Sequence, residues 1–293
     1  MELQPINLFK DNLPEISNPE QRVITKLDSK VFSEPHSFDQ ITQDAYKYNQ
    51  DKMWVAVADG MGGGGDPEAA SQFVVSELGS VLEGINLENT AQVKETQNQL
   101  TAGILAINNN LTANYSKSGV AVAGFRVLNT QEGSVCLGIN VGDVRLYLQR
   151  TDKFYLMSLD SYLQTESWFS SEEETRRVLL RADNIESAED LNKVVPKVAE
   201  LFKIRQRKIT PHHLGNYFGN NRLRSYLTAF AVYPGDKLLL TTDGLWSPLT
   251  INQLQSCVSA DQDLLSLARK YSEKPGWIRS GTDDMTGVLS SLA

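Results

Sequence analysis

Apolar residues along this chain fall into strand-like runs and helical stripes, grouped in separate blocks. Residues 53–58, MWVAVA, form an unbroken apolar run that stops at Asp59 and a glycine tract, the pattern of a strand buried on both faces that ends in a loop. After Pro67, in the first-turn position that proline favours, Ala70, Phe73, Val74, Leu78, Val81 and Leu82 recur at helical spacing. Leu100, Ile104, Ile107 and Leu111 mark a second amphipathic helix. Four β-rich segments follow, GVAVAGFRVL, GSVCLGINV, VRLYLQR and KFYLMSL. Turn formers at 129–133 and 142–143 separate them, so they read as antiparallel strands.

The character changes over about 165–222, which is polar with two short helical patterns (171–182 and 187–202) and reads as an insertion or flap. Beyond it, YLTAFAVYPGDKLLLTTDGL predicts two strands joined by a Pro234-Gly235-Asp236 turn. Two short helices reach Tyr271, and MTGVLSSL predicts a closing strand. Residues 1–20 lack periodicity and read as an irregular arm, leaving 21–293 as one domain. Strands and helices come in separate runs, which predicts an α+β fold: a sandwich of two antiparallel β-sheets flanked by helices, α-β-β-α.

Composition narrows the function. The 293 residues carry 36 Asp+Glu against 28 Lys+Arg, a formal net charge of -8, which argues against nucleic acid or an anionic membrane surface as a partner. Cys136 and Cys257 show no CxxC or Cys/His spacing, so neither a disulfide framework nor a zinc site is expected. No stretch of about 18 apolar residues and no basic-then-apolar leader is visible, and the expected location is the cytoplasm.

Four aspartates stand at the ends of apolar strands: Asp59 after WVAVA, Asp143 after GINVG, Asp243 after KLLLTT and Asp283 before the last strand. A single Asp-Gly pair is most simply a turn former. Four carboxylates at strand termini, however, have rigid bases and oxygens that face an open rim, a donor set suited to Mg²⁺ or Mn²⁺. Brought together without a cation, each pair at about 4 Å would cost on the order of 4 kcal/mol at an effective dielectric near 20.

The segments QDAY (43–46), VAVADGMGG (55–63), NVGDVRLYL (140–148), LLLTTDGLW (238–246) and GTDDMT (281–286) resemble, in order, the signature motifs of bacterial PPM-type (type 2C) protein phosphatases. The tract Gly62–Gly65 lacks the GK[ST] of a P-loop and is not read as one. The resemblance implies an Mg²⁺/Mn²⁺-dependent serine/threonine phosphatase with two or three metal ions, a phosphorylated protein as substrate and an opposing Ser/Thr kinase. It implies that Asp59 bridges two metals, that the Gly60 carbonyl ligates the second, and that Asp243 and Asp283 ligate the first. Asp44 would hold metal-bound waters, and Asp143 with Asp243 would hold a third ion. A water shared by two cations would attack phosphorus in line.

Some positions depart from the family pattern. Asp39 stands where relatives carry a phosphate-gripping arginine, so either the loop 33–42 is displaced and Arg22 or another cation supplies that contact, or substrate binding is weakened or altered. Met61 replaces a histidine of eukaryotic relatives, GTTA appears as Gly119-Val120-Ala121-Val122, and DHS appears as Asp160-Ser161-Tyr162. These departures keep a second reading open, a pseudophosphatase that binds or regulates without turnover. Arg145 is expected in a structural ion pair, Trp246 and Trp277 in packing, His212 and His213 at the surface, and Glu172–Glu174 at a solvated helix start.

Overall fold

The apolar run beginning at Trp54 is continuous because its strand lies between two hydrophobic layers. Trp54, Ala56 and Ala58 join a core under helices, whereas Val55 and Val57 join the core between two sheets. The computed structural model describes residues 6–7, 23–35, 41–61, 65–131, 133–158, 160, 214, 217–220, 223, 225–272 and 283–293. In chain order the elements are β1 (Ile6–Asn7), β2 (Leu27–Glu34), β3 (Ala45–Asn49), β4 (Trp54–Met61), α1 (Pro67–Glu83), α2 (Val93–Asn114), β5 (Gly119–Thr130) and β6 (Gly133–Val141). They continue with β7 (Arg145–Arg150), β8 (Lys153–Leu156), β9 (Tyr226–Ala231), β10 (Lys237–Thr241), α3 (Asp243–Trp246), α4 (Ile251–Ala260), α5 (Leu264–Ser272) and β11 (Met285–Leu292).

Among the described residues the strands form a six-stranded sheet, β1-β9-β6-β5-β4-β3, and a five-stranded sheet, β2-β11-β10-β7-β8. Neighbours run antiparallel except β1 and β9. Three cores follow from strand alternation. Helices α1 and α2 cover the first sheet through Val74, Leu78, Leu100 and Ile104 against Val120, Val122 and Ile139. Ala121, Ala123 and Phe125 meet Leu146, Leu148, Leu238, Leu240 and Val288 between the sheets. Leu254, Val258 and Leu264 of α4 and α5 cover Tyr147, Leu239 and Leu289 on the outside of the second sheet. This is the α-β-β-α sandwich expected from the sequence.

Local signals set the helix ends. Asp66 caps α1 by accepting from the Ala69 amide at 3.0 Å, with Pro67 next, and Thr250 with Gln253 forms a capping box on α4. The carbonyls at the other end of α1, Leu82 and Ile85, receive the buried Arg126 guanidinium from β5. Desolvation lowers the pKa of that guanidinium, an effect that Glu83 opposes.

The structure corrects four expectations. β4 runs past Ala58 through Asp59 to Met61 because Asp59, Gly60 and Met61 still pair with Ala121, Val120 and Gly119. β9 and β10 do not form a hairpin. β9 pairs with β6 and β10 with β7 and β11, so the turn at Gly235 (φ 92) carries the chain from one sheet to the other. Within the stretch read as an irregular arm, Ile6 and Asn7 pair in parallel with Thr228 and Ala229. β2, at the edge of the second sheet, went unrecognised because only Leu27 and Phe32 of its eight residues are buried, with Val31 half-buried against the core between the sheets. Most of 165–222 lies outside the described residues; near its end, Phe218 bridges Val120 and the Gly219 amide donates to Asn108.

Candidate metal centre

The strand ends that carry the aspartates meet at one rim of the sandwich. In the first sheet Ala58, one residue before Asp59, pairs with Ala45, one residue after Asp44, and with Val122, itself paired with Val141 at the end of β6. In the second sheet Thr241, the last residue of β10, pairs with Arg145 and Gly287, at the starts of β7 and β11. Asp143 sits in the link from β6 to β7, and Asp243 is the first residue of α3.

Carboxylate oxygens of Asp59, Asp143 and Asp243 all lie within 4.8 Å of one another; Asp143 and Asp243 are buried and Asp59 is half-buried. At that separation each pair of charges repels by about 3.5 kcal/mol at an effective dielectric near 20. The donors are all hard oxygens, so the group fits a small divalent cation such as Mg²⁺ or Mn²⁺ and lacks the thiolate or imidazole of a typical zinc site. Asp44 and Asp283 are not members of this trio. Burial raises the Asp44 carboxyl well above the ordinary range, and the Asp59 charge adds to the effect. Hydrogen bonding from Thr242 opposes it, Asp284 adds further, and Thr286 opposes.

A network that the motif reading did not resolve holds these groups. The Thr242 hydroxyl donates to Asp44 Oδ2 at 2.8 Å and accepts the Thr286 amide at 3.0 Å, tying Asp44 to the β10–β11 ladder. Asp284 Oδ2 accepts the Gln43 amide at 2.5 Å. The Gln43 carbonyl in turn receives the Gly60 amide at 3.2 Å and the Ser71 hydroxyl at 2.6 Å. The doubled acid of GTDDMT and the TT of LLLTTDGL were the available signals for Asp284 and Thr242.

Both Asp-Gly pairs owe their glycine to close backbone approach. Gly60 lies in a strand and Gly244 in a helix, and neither has positive φ. A Cβ on Gly60 would sit 2.4 Å from the Pro67 carbonyl oxygen and 2.6 Å from that of Gln43; on Gly244 it would sit 2.0 Å from that of Asp284. Gly60→Ala must therefore displace backbone beside Asp59. It should cost about 1–3 kcal/mol of stability in urea unfolding and weaken Mn²⁺ binding measured by calorimetry.

Arg145 is committed to structure. Its Nε and Nη2 fork onto the Asp160 carboxylate at 2.6–3.2 Å, with both side chains largely buried, and its guanidinium stacks 3.3 Å over the Trp246 ring centroid. Asp39, Arg22, Gly62–Gly64, His212, His213, Glu172–Glu174 and Trp277 lie outside the described residues. Cys136 is buried between the sheets and Cys257 under α4, so the two thiols belong to different cores. Among the described residues no helix is long and apolar enough to cross a membrane.

No protein-family model matches the sequence, nor does any curated protein. Solved structures do share the fold. The serine/threonine phosphatase of S. agalactiae superposes with a TM-score of 0.63 at 18% identity, covering 91% of this chain and 100% of that one. Stp1 from Staphylococcus aureus, also a serine/threonine phosphatase, gives 0.61 at 23% identity, covering 95% and 100%. The catalytic domain of the serine/threonine protein phosphatase PstP, in complex with two manganese ions, gives 0.59 at 18% identity, covering 92% and 99%.

Proposed function

We propose that this chain is a PPM-type, Mg²⁺/Mn²⁺-dependent phosphatase that removes phosphate from serine or threonine in proteins. The observation that carries this reading is the convergence of Asp59, Asp143 and Asp243 at one rim of a fold shared with serine/threonine phosphatases, one of them holding two manganese ions. Residues 21–293 are taken as the phosphatase domain, with about 165–222 as an insertion.

Bound divalent cations would supply Lewis acidity, activating water near neutral pH and offsetting charge on the phosphoryl oxygens. Asp59, reaching in from the first sheet, and Asp243, from the second, would hold cations between the sheets, with the Gly60 carbonyl and Asp283 completing their coordination. Asp143 with Asp243 would hold a further ion. Asp44, which accepts the Thr242 hydroxyl, would hold metal-bound water. Arg145 is engaged by Asp160, so phosphate must be gripped by another group. The pseudophosphatase alternative is not favoured, because Asp59, Asp143 and Asp243 still converge. A cytoplasmic location and an opposing Ser/Thr kinase accompany the proposal.

Hydrolysis of p-nitrophenyl phosphate tests it. Mn²⁺ or Mg²⁺ should support turnover, Ca²⁺ should not, and EDTA should remove it, because small hard cations that keep several bound waters suit a site built from a few carboxylates. Full activity after exhaustive chelation would contradict the metal mechanism.

A further inference from the structure

Asp143 and Asp243 reach the rim on different elements, yet one side chain joins them. Trp246 is the last residue of α3, the short helix that Asp243 opens, and its indole Nε1 donates to the backbone carbonyl of Asp143 at 3.0 Å. The same indole is covered by the Arg145 guanidinium, 3.3 Å above the ring centroid. Arg145 is fixed on its other edges by the Asp160 carboxylate and by the Tyr147 hydroxyl at 3.2 Å. Asp160, Arg145 and Trp246 thus form a stack that ends on the carbonyl of a site aspartate. Such a stack restrains both the lateral position and the tilt of the indole, since the fork is planar and the ring is held face-on.

We infer that Trp246 is a positioning residue that sets the spacing of Asp143 and Asp243, and that Arg145 and Asp160 act through it. This inference rests on the proposed metal site and extends it. The consequence is specific. Losing the indole N–H should loosen the Asp143 backbone without removing any ligand, lowering affinity for the ion that these two carboxylates share. Outer groups that orient ligands commonly act on metal affinity in this way. Trp54 provides an internal comparison, because its indole also donates, to Glu83 at 2.8 Å, but on the α1 side of the first sheet, in the core under the helices.

The test is calorimetric titration of Mn²⁺ into the EDTA-stripped full chain, with thermal melts of the same samples. Trp246→Phe should raise the Mn²⁺ dissociation constant about tenfold, whereas Trp54→Phe should leave it unchanged even if it lowers the melting temperature. Arg145→Lys should weaken Mn²⁺ to a similar degree, and the double variant should be no weaker than either single one, since the two act as one unit. A Trp246→Phe chain that titrates like wild type would overturn the assignment, as would a double variant whose loss is the product of the two. A wild-type chain that takes up no Mn²⁺ would overturn both the assignment and the proposed function. If the shifts appear in a chain that hydrolyses no phosphoester, the positioning role stands and the phosphatase reading falls.

Discussion

Asp243→Asn and Asp59→Asn are each expected to reduce phosphatase turnover by at least about a thousandfold while leaving the stripped protein no less stable than wild type. Neutralising one member of the trio would remove a carboxylate from the proposed metal site and relieve two repulsive carboxylate pairs, each worth about 3.5 kcal/mol at a separation of 4.8 Å and an effective dielectric near 20. Activity and stability should therefore move in opposite directions, a combination that ordinary misfolding does not produce. Phosphate release and the melting temperature of the EDTA-treated variants check both halves. A variant at either position that retained near-native rates would show that the aspartate is not a ligand.

The second large effect lies in the crossover between the sheets. Arg150, at the end of β7, forks onto Asp236 at 2.9 and 2.7 Å and also donates to the Ala231 carbonyl at 2.9 Å; Asp236 Oδ2 accepts the Tyr233 amide at 2.9 Å. The pair is buried, at 8% and 3% side-chain exposure, and clamps the turn that carries the chain from β9 to β10. Asp236→Ala would leave the guanidinium uncompensated and should cost about 3–5 kcal/mol, lowering the melting temperature by roughly 10 °C. Replacing both residues by apolar side chains of similar volume should recover most of that loss. Urea unfolding of the single and double variants measures it; a single variant within about 0.5 kcal/mol of wild type would mean that the clamp does not hold the crossover.

What the sequence made legible follows from how each signal is written. The buried strands β4, β5, β6, β10 and β11 were visible because both of their faces meet apolar layers, so the chain spells them as dense runs of Val, Ala and Leu. β2 was not, because an edge strand with two buried residues among eight resembles a loop. Sheet partners were also hidden: the turn at 234–236 looks like a hairpin locally, and only the pairing of β9 with β6 and of β10 with β7 and β11 separates its two strands. The site aspartates were legible as carboxylates at strand ends. Their mutual distances were not, and neither was the network through Gln43, Thr242, Asp284 and Trp246, which depends on residues up to 241 positions apart. The meaning of the two Asp-Gly pairs also changed, from turn chemistry to glycines pressed against neighbouring carbonyls.

The most direct measurement is the rate of phosphate release from a phosphothreonine peptide as free Mn²⁺ is raised over the EDTA-stripped full chain, with Asp59→Asn run beside it. The wild-type rate should climb saturably from background, and the variant should stay at background throughout. A wild-type rate independent of Mn²⁺, or a variant that tracks it, would contradict metal-dependent hydrolysis at the aspartate rim.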